Sequence, residues 1–406
     1  MLVPVPPGRY SGCMQHLVQF GAGNIGRSFI GALFAQAGWK VTFVDVDERV
    51  VHELARRGGY PVVVKHPDGR DERREVSGVT AINGRDGGAV TTAVRSADLM
   101  ATSVGKQALP HVLRAIAEGL RAREAPLDLI LAENLRDGAA FARSVLLAAL
   151  TNRPDLVETV GLVETSIGKM VPLMSEADRS ADPLQVFAEP YNTLILDRHG
   201  FLGPIPDVAG VQLVDTIAAY VDRKLFIHNM GHAAAAYLGF RANPHATLLP
   251  DALEPVRDVV RAAMLQAAAA LASAYPQDLT LPDLHAHVDD LLFRFGNRAL
   301  GDTVYRVGRD LPRKLHKSDR MVGALLLAAA HTMPSDRIVE ATEAALSFDG
   351  RDESGRPYEP DAVFRAEVLS RGMDAVISET CGLDETVPEE RRVADLLRRA
   401  AASSHA

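Results

Sequence analysis

Apolar positions along the first 150 residues fall into two rhythms. Short apolar-rich runs at residues 15–20, 40–45, 99–104 and 127–132 have the length and composition of buried strands. Between them lie stretches with helical spacing, through about residue 36 after the first strand and then over 48–57, 108–121 and 138–150. A strand pair is predicted at 60–66 and 74–83. Strands that alternate with helices imply a mostly parallel sheet with helices on both faces. After Asp215 the pattern is almost wholly helical, over 216–238, 251–274, 283–295, 320–332, 335–346, 360–377 and 388–402. Ala-rich faces at 233–236 and 267–270 suit closely packed helices. Gly200, Gly203, Pro204 and Pro206 cluster between the two regimes. The predicted organisation is therefore an α/β domain over residues 14–205 and a mostly α-helical domain over 206–406.

Composition narrows the class. With 406 residues, 47% of them hydrophobic and 24% charged, the chain is long and apolar enough for two folded domains. Two cysteines, Cys13 and Cys381, are too few for a four-thiolate zinc site and fit a reducing compartment. A net charge of −8 leaves no bulk basic footprint for nucleic acid. The longest apolar runs, such as 321–330, are about ten residues and too short to span a bilayer. Residues 1–13 lack the layout of a signal peptide, so a cytoplasmic location is expected. Lysine is rare: it supplies seven of the 44 cationic side chains. Only lysine, not arginine, can shed its proton when desolvated, so each one is a candidate for more than surface charge.

Gly21-Ala22-Gly23-Asn24-Ile25-Gly26 follows the first strand directly and opens the first helix. In that context a Gly-x-Gly-x-x-Gly reads as the fingerprint of a Rossmann-like nucleotide domain. Gly21 permits the tight turn, Gly23 admits a pyrophosphate, and Gly26 lets helix and strand pack closely, while the backbone of Asn24 and Ile25 lies at the helix N-terminus. Asp45 ends the second strand, where a carboxylate accepts from ribose hydroxyls and repels a 2′-phosphate; NAD is expected over NADP. A turn that binds nothing and a flavin site are the alternatives.

The segment from Asp222 to His232 carries the candidate chemistry. At about 100° per residue on an α-helix, Asn229 lies near 140° and His232 near 80° from Lys224. An amine, an amide and an imidazole on one arc of an apolar helix need a polar partner. One reading is a buried network tying helices together. The other is a lysine general base whose pKa falls on burial, with Asn229 donating to a developing alkoxide and His232 bonding the same oxygen or holding the lysine. A metal on His228 and His232 lacks a third ligand, and Asn229 stands where a zinc protease carries its glutamate, so no metal is expected. Arg306, Arg309, Arg313 and Lys314 crowd one stretch and suit a phosphate, or else form surface pairs with Asp302 and Asp310.

Lys224, four residues, Asn229, two residues, His232 resembles the signature of the polyol-specific long-chain dehydrogenases. Phe20–Arg27, Arg223–Phe226, Gly231-His232, Tyr237–Gly239, Val307–Arg309, Arg313–Leu315 and Asp319-Arg320 extend the likeness from about Met14 to Leu383. Met14 also stands where such proteins usually begin. The resemblance implies a metal-independent, NAD-dependent hydride transfer with Lys224 as base, amides from Asn229 and Asn134, and His232 beside them. It places a substrate-gripping pair of cations on Arg306 and Lys314, and its phosphate-using branch implies interconversion of D-mannitol 1-phosphate and D-fructose 6-phosphate. Two departures stand out. Ile167-Gly168-Lys169 replaces the family's Asp-Arg-Ile before Pro172, and Thr193-Leu194 replaces a Glu-Trp pair. Losing a carboxylate and gaining Lys169 makes an anionic substrate more suitable. Lys106, after Gly105, is a further cation near the expected cofactor edge. The rival readings are another sugar-alcohol phosphate, a free polyol or a sugar acid as substrate, a 6-phosphogluconate dehydrogenase type with different Lys–Asn spacing, and a catalytically silent NAD-binding protein.

Overall fold

The computed structural model describes residues 15–133 and 135–403. Two compact units divide between Ala218 and Ala219. In the N-terminal unit the strands are β1 (His16–Phe20), β2 (Lys40–Asp45), β3 (Gly59–Lys65), β4 (Asp71–Ser77), β5 (Val79–Asn83) and β6 (Leu99–Thr102). They continue with β7 (Leu127–Leu131), β8 (Val160–Ser166), β9 (Val186–Ala188), β10 (Leu194–Asp197) and β11 (Val211–Val214).

The large sheet has the order β11-β10-β8-β7-β6-β1-β2-β5. From β5 to β8 every neighbouring pair is parallel. Renumbered along the chain, those six strands run 3-2-1-4-5-6, the dinucleotide-binding order with its switch point beside β1. Successive side chains of a strand face opposite sides. Leu17 and Val41 therefore enter one core with Phe29, Phe34 and Phe43, while Val18, Phe20 and Val44 enter the other with Met100, Leu129 and Leu131. Beyond β8 the order changes: β10 lies antiparallel to β8, and β11 parallel to β10.

Local chemistry explains the boundaries. Helix Glu48–Arg57 starts where the Asp47 carboxylate accepts from the amides of Arg49 and Val50, and it ends at Gly58 with φ of 64°. The strand expected over 74–83 is two strands. Gly78 takes φ of 76° and redirects the chain, so β4 pairs with β3 in a small sheet, while β5 joins the large one. The Gly- and Pro-rich stretch at 198–206 leads into β11 instead of leaving the sheet, so the sheet continues past residue 205.

The C-terminal unit is helical. It begins inside helix Ile217–Arg223, which continues through a π-helical turn at Lys224–Asn229 into helix Met230–Ala242. Small residues let its neighbours approach. A side chain at Gly231 would meet the Met264 sulfur at 2.5 Å, and one at Gly239 would meet the Ala252 carbonyl at 2.5 Å. Ala233 to Ala236 are all buried. Helix Arg320–Ala330 lies against the π-helical turn through Gly323, whose added Cβ would sit 2.8 Å from the Phe226 ring. Among the described residues no helix is long and apolar enough to cross a membrane.

Candidate active site

The glycine turn sits at the carboxyl ends of β1, β2 and β6. The Gly21 amide donates to Val44 O at 2.8 Å, and the Ser103 amide donates to Phe20 O at 2.9 Å. Gly21 has φ of 92°, and a Cβ there would lie 2.7 Å from Ser103 O. A Cβ on Gly26 would come within 2.0 Å of Gly21 O, so only glycine lets the helix lie on the turn. Gly23 is different: its Cβ direction is open, and Gly23 and Asn24 are exposed at the helix N-terminus. Asp45 accepts from the Ala22 amide through Oδ2 at 2.6 Å and from the Asp47 amide through Oδ1 at 3.0 Å. The Arg27 guanidinium donates to Ala22 O at 2.6 Å, so both sides of the Ala22 peptide are held. These residues fit a dinucleotide: space over Gly23, free amides at a helix start, and a fixed carboxylate at the end of β2.

The Lys224 helix departs from regular α-geometry. An i→i+5 turn over Lys224–Asn229 widens the helix there, which brings Asn229 nearer the face of Lys224 than the ~140° of a regular α-helix would. The Lys224 ammonium is largely removed from water. Desolvation, with the Arg320 guanidinium nearby, pulls its pKa down to about 7. His228 is buried and held well below its usual value, first by burial and then by Arg294.

His232 is gripped from two sides. Its Nε2 lies 3.1 Å from Asp302 Oδ2, and its ring stacks on Phe295 with centroids 4.7 Å apart. Burial, followed by the charges of Arg306, Arg320, Lys314 and Arg294, lowers the imidazole to about 3. Lys224, Asn229 and His232 thus lie close together along one helix, with the imidazole held neutral and the amine poised between its two protonation states near pH 7.

The cation cluster is more paired than its density suggests. Arg306 donates to Asp302 but keeps a buried Nε without a partner among the described residues. Arg313 bonds Asp310 and also Asp319, the latter at 3.1 Å. The Lys314 ammonium is buried and donates to Val307 O at 2.6 Å and to Arg309 O. Desolvation, with Arg320 next, lowers it to about 7. Arg309 is exposed, its guanidinium 5.5 Å from the Tyr305 ring and 5.3 Å from the Tyr358 ring. Lys169 belongs to the N-terminal unit, where its ammonium donates to Glu189 O, Tyr191 O and Asn192 Oδ1, between 2.6 and 3.1 Å. Asn134 lies outside the described residues, as do residues 1–14. Among the described residues no three His, Cys, Asp or Glu side chains cluster as a metal ion requires.

Two residues enter that the spacing did not mark as functional. Asp302 links His232 to Arg306, and its position four before Arg306 was readable only as a surface pair. Arg320 lies close enough to depress Lys224, Lys314 and His232 together.

The Mannitol dehydrogenase Rossmann domain matches residues 15–210, and the Mannitol dehydrogenase C-terminal domain matches residues 216–401. The chain belongs to the mannitol dehydrogenase family. Within that family it is 34% identical over 391 residues to a mannitol-1-phosphate 5-dehydrogenase of Brevibacillus brevis, covering 94% of this chain and 97% of that one. Its fold is similar to a substrate-free D-sorbitol dehydrogenase, with TM-score 0.73 and 19% identity over 97% of this chain and 94% of the other. It is also similar to Pseudomonas fluorescens mannitol 2-dehydrogenase in ternary complex with NAD and D-mannitol, with TM-score 0.72 and 18% identity over 98% and 93% of the two chains.

Proposed function

We propose that this chain is an NAD-dependent oxidoreductase that interconverts D-mannitol 1-phosphate and D-fructose 6-phosphate without a metal. The observation that carries the reading is Lys224, a desolvated lysine with a pKa of about 7 on a π-helical turn, one turn from Asn229. A general base works best when its pKa lies near the working pH. The named relative at 34% identity supports the substrate, and the mannitol 2-dehydrogenase complex supports NAD.

The amides at Gly23, Asn24 and Ile25 hold the pyrophosphate, and Asp45 accepts from the ribose hydroxyls. The bound nicotinamide supplies the hydride acceptor for oxidation and the donor for reduction. Neutral Lys224 takes the alcohol proton at Nζ in oxidation; in reduction its ammonium returns that proton to the carbonyl oxygen. Asn229, with Asn134, donates to the oxygen as its charge grows. Arg309 and the spare Nε of Arg306 bind the phosphate. Arg313 and Lys314 shape that region through the carboxylates and carbonyls they hold, while Lys169 organises the Glu189–Asn192 stretch of the N-terminal unit. The protein works in the cytoplasm on a small sugar-alcohol phosphate.

One observation favours a second reading. Arg306 and Arg313 are both ion-paired, and Lys314 is spent on carbonyls, so an uncharged polyol would need no partner there. The test is Lys224→Ala with fructose 6-phosphate and NADH. Loss of general catalysis should lower kcat by about a thousandfold, with NADH binding kept. An active variant would sink the mechanism.

A further inference from the structure

His232 can serve the reaction in two opposite ways, as a hydrogen-bond donor or as an acceptor, and the surroundings choose between them. Asp302 is 5% exposed and anchored through its own backbone, its carbonyl accepting from the Leu249 amide at 2.8 Å. One carboxylate oxygen takes the Arg306 guanidinium and the other faces His232 Nε2 at 3.1 Å. A carboxylate paired with a guanidinium is ionised and can only accept. The imidazole must therefore donate from Nε2. Stacking on Phe295, at an interplanar angle of 24°, holds the ring plane in that orientation.

We propose that Asp302 is a positioning residue that locks His232 as the Nε2–H tautomer, so that Nδ1 is offered as an acceptor to a hydroxyl of the substrate. The inference rests on the dehydrogenase reading above. A neutral imidazole carries one proton, and with that proton facing Asp302 the remaining ring nitrogen has a lone pair. His232 then cannot donate to an alkoxide. It orients an O–H group, and the donors to the growing negative charge are the amides and the Lys224 ammonium. The same carboxylate neutralises Arg306, so one side chain sets both the tautomer of the histidine and the charge of the cation.

A structural role alone would not control the tautomer, which gives the test. The full-length chain carrying ¹⁵N-labelled histidine is compared with Asp302→Asn by long-range ¹H–¹⁵N correlation, with His232→Gln assigning the signal. The wild type is expected to show a neutral Nε2–H imidazole for His232. In Asp302→Asn the amide can donate to Nε2, and the signal should move toward the Nδ1–H form. The kcat for fructose 6-phosphate reduction should fall by about a hundredfold or more with KM for NADH unchanged, within the span of roughly 10² to 10⁴ known for such groups. An Nδ1–H tautomer in the wild type overturns the proposal, as does an unchanged tautomer in the variant. If Asp302→Asn fails to fold, the wild-type spectrum alone decides. The spectrum needs no turnover: a wild type inactive on every polyol with His232 in the Nε2–H form would remove the dehydrogenase reading and leave the tautomer lock standing.

Discussion

Replacing Lys224 by Met should abolish turnover and at the same time make the protein more stable near neutral pH. Met keeps the length and apolar stem of lysine, so the perturbation is mainly the removed charge. Each unit of pKa displacement is about 1.4 kcal/mol, and the fall from the usual 10.5 to about 7 sets a ceiling of roughly 5 kcal/mol on the cost of burying the ammonium. Lys224 keeps part of its surface in water, and screening of that part brings the expected gain to about 2 kcal/mol. The sign with pH follows from linkage. Between pH 7 and 10.5 the unfolded lysine binds more protons than the folded one. The wild type therefore gains stability as pH rises through that window, and the variant does not. The difference should be largest at and below pH 7 and vanish above pH 10.5. Trp39, the only tryptophan, is buried in the N-terminal unit and would not report on this helix. The assay is urea denaturation followed by far-UV circular dichroism, fitted without assuming a single transition because the chain has two compact units. A Met variant less stable at pH 7, or a difference that does not change with pH, would refute the claim that Lys224 sits desolvated in the fold.

The same pKa sets the activity profiles: oxidation should rise and reduction should fall as pH passes about 7, and stopped-flow rates free of product release would show it. A profile for reduction that stays flat from pH 6 to pH 9 would count against Lys224 as the acid. Gly23→Ala should fold normally, since its Cβ meets open space, but weaken NADH binding by about tenfold on titration. Gly26→Ala should instead lower the melting temperature, because its Cβ would lie 2.0 Å from Gly21 O. Asp45→Ala should improve the use of NADPH relative to NADH, measured as the ratio of kcat/KM, at some cost to the turn whose Ala22 amide it holds. Arg309→Gln should raise KM for fructose 6-phosphate by about tenfold and leave KM for NADH unchanged.

Much of the scaffold was legible because the signals were local. Strand Lys40–Asp45 and helix Glu48–Arg57 have the predicted bounds, since a run of apolar residues, an Asp cap and a Gly stop are all visible in sequence. Strands β8, β9, β10 and β11 were not read: β9, β10 and β11 are only three or four residues long, and β8 mixes Gly161, Glu164, Thr165 and Ser166 with its apolar positions. Helix Gly87–Ser96 was missed for a related reason: it opens on two glycines and carries Thr91-Thr92 in its middle, and the Asp86 cap was the one signal for it. At the candidate site, spacing put Lys224, Asn229 and His232 on one arc, yet the π-helical turn over Lys224–Asn229 is a backbone feature no residue type announces. Spacing also grouped Arg306, Arg309, Arg313 and Lys314, and it offered Asp302 and Asp310 as their partners, which Arg306 and Arg313 do take. Only the fold shows Lys314 buried on two carbonyls, which under the proposed function leaves more of the phosphate to Arg309.

The most direct measurement is NADH oxidation at neutral pH, with EDTA present, comparing fructose 6-phosphate with fructose. The account predicts rapid turnover of the phosphate and little of the free sugar, with no loss to the chelator. Turnover of fructose alone, or of neither sugar, would contradict it.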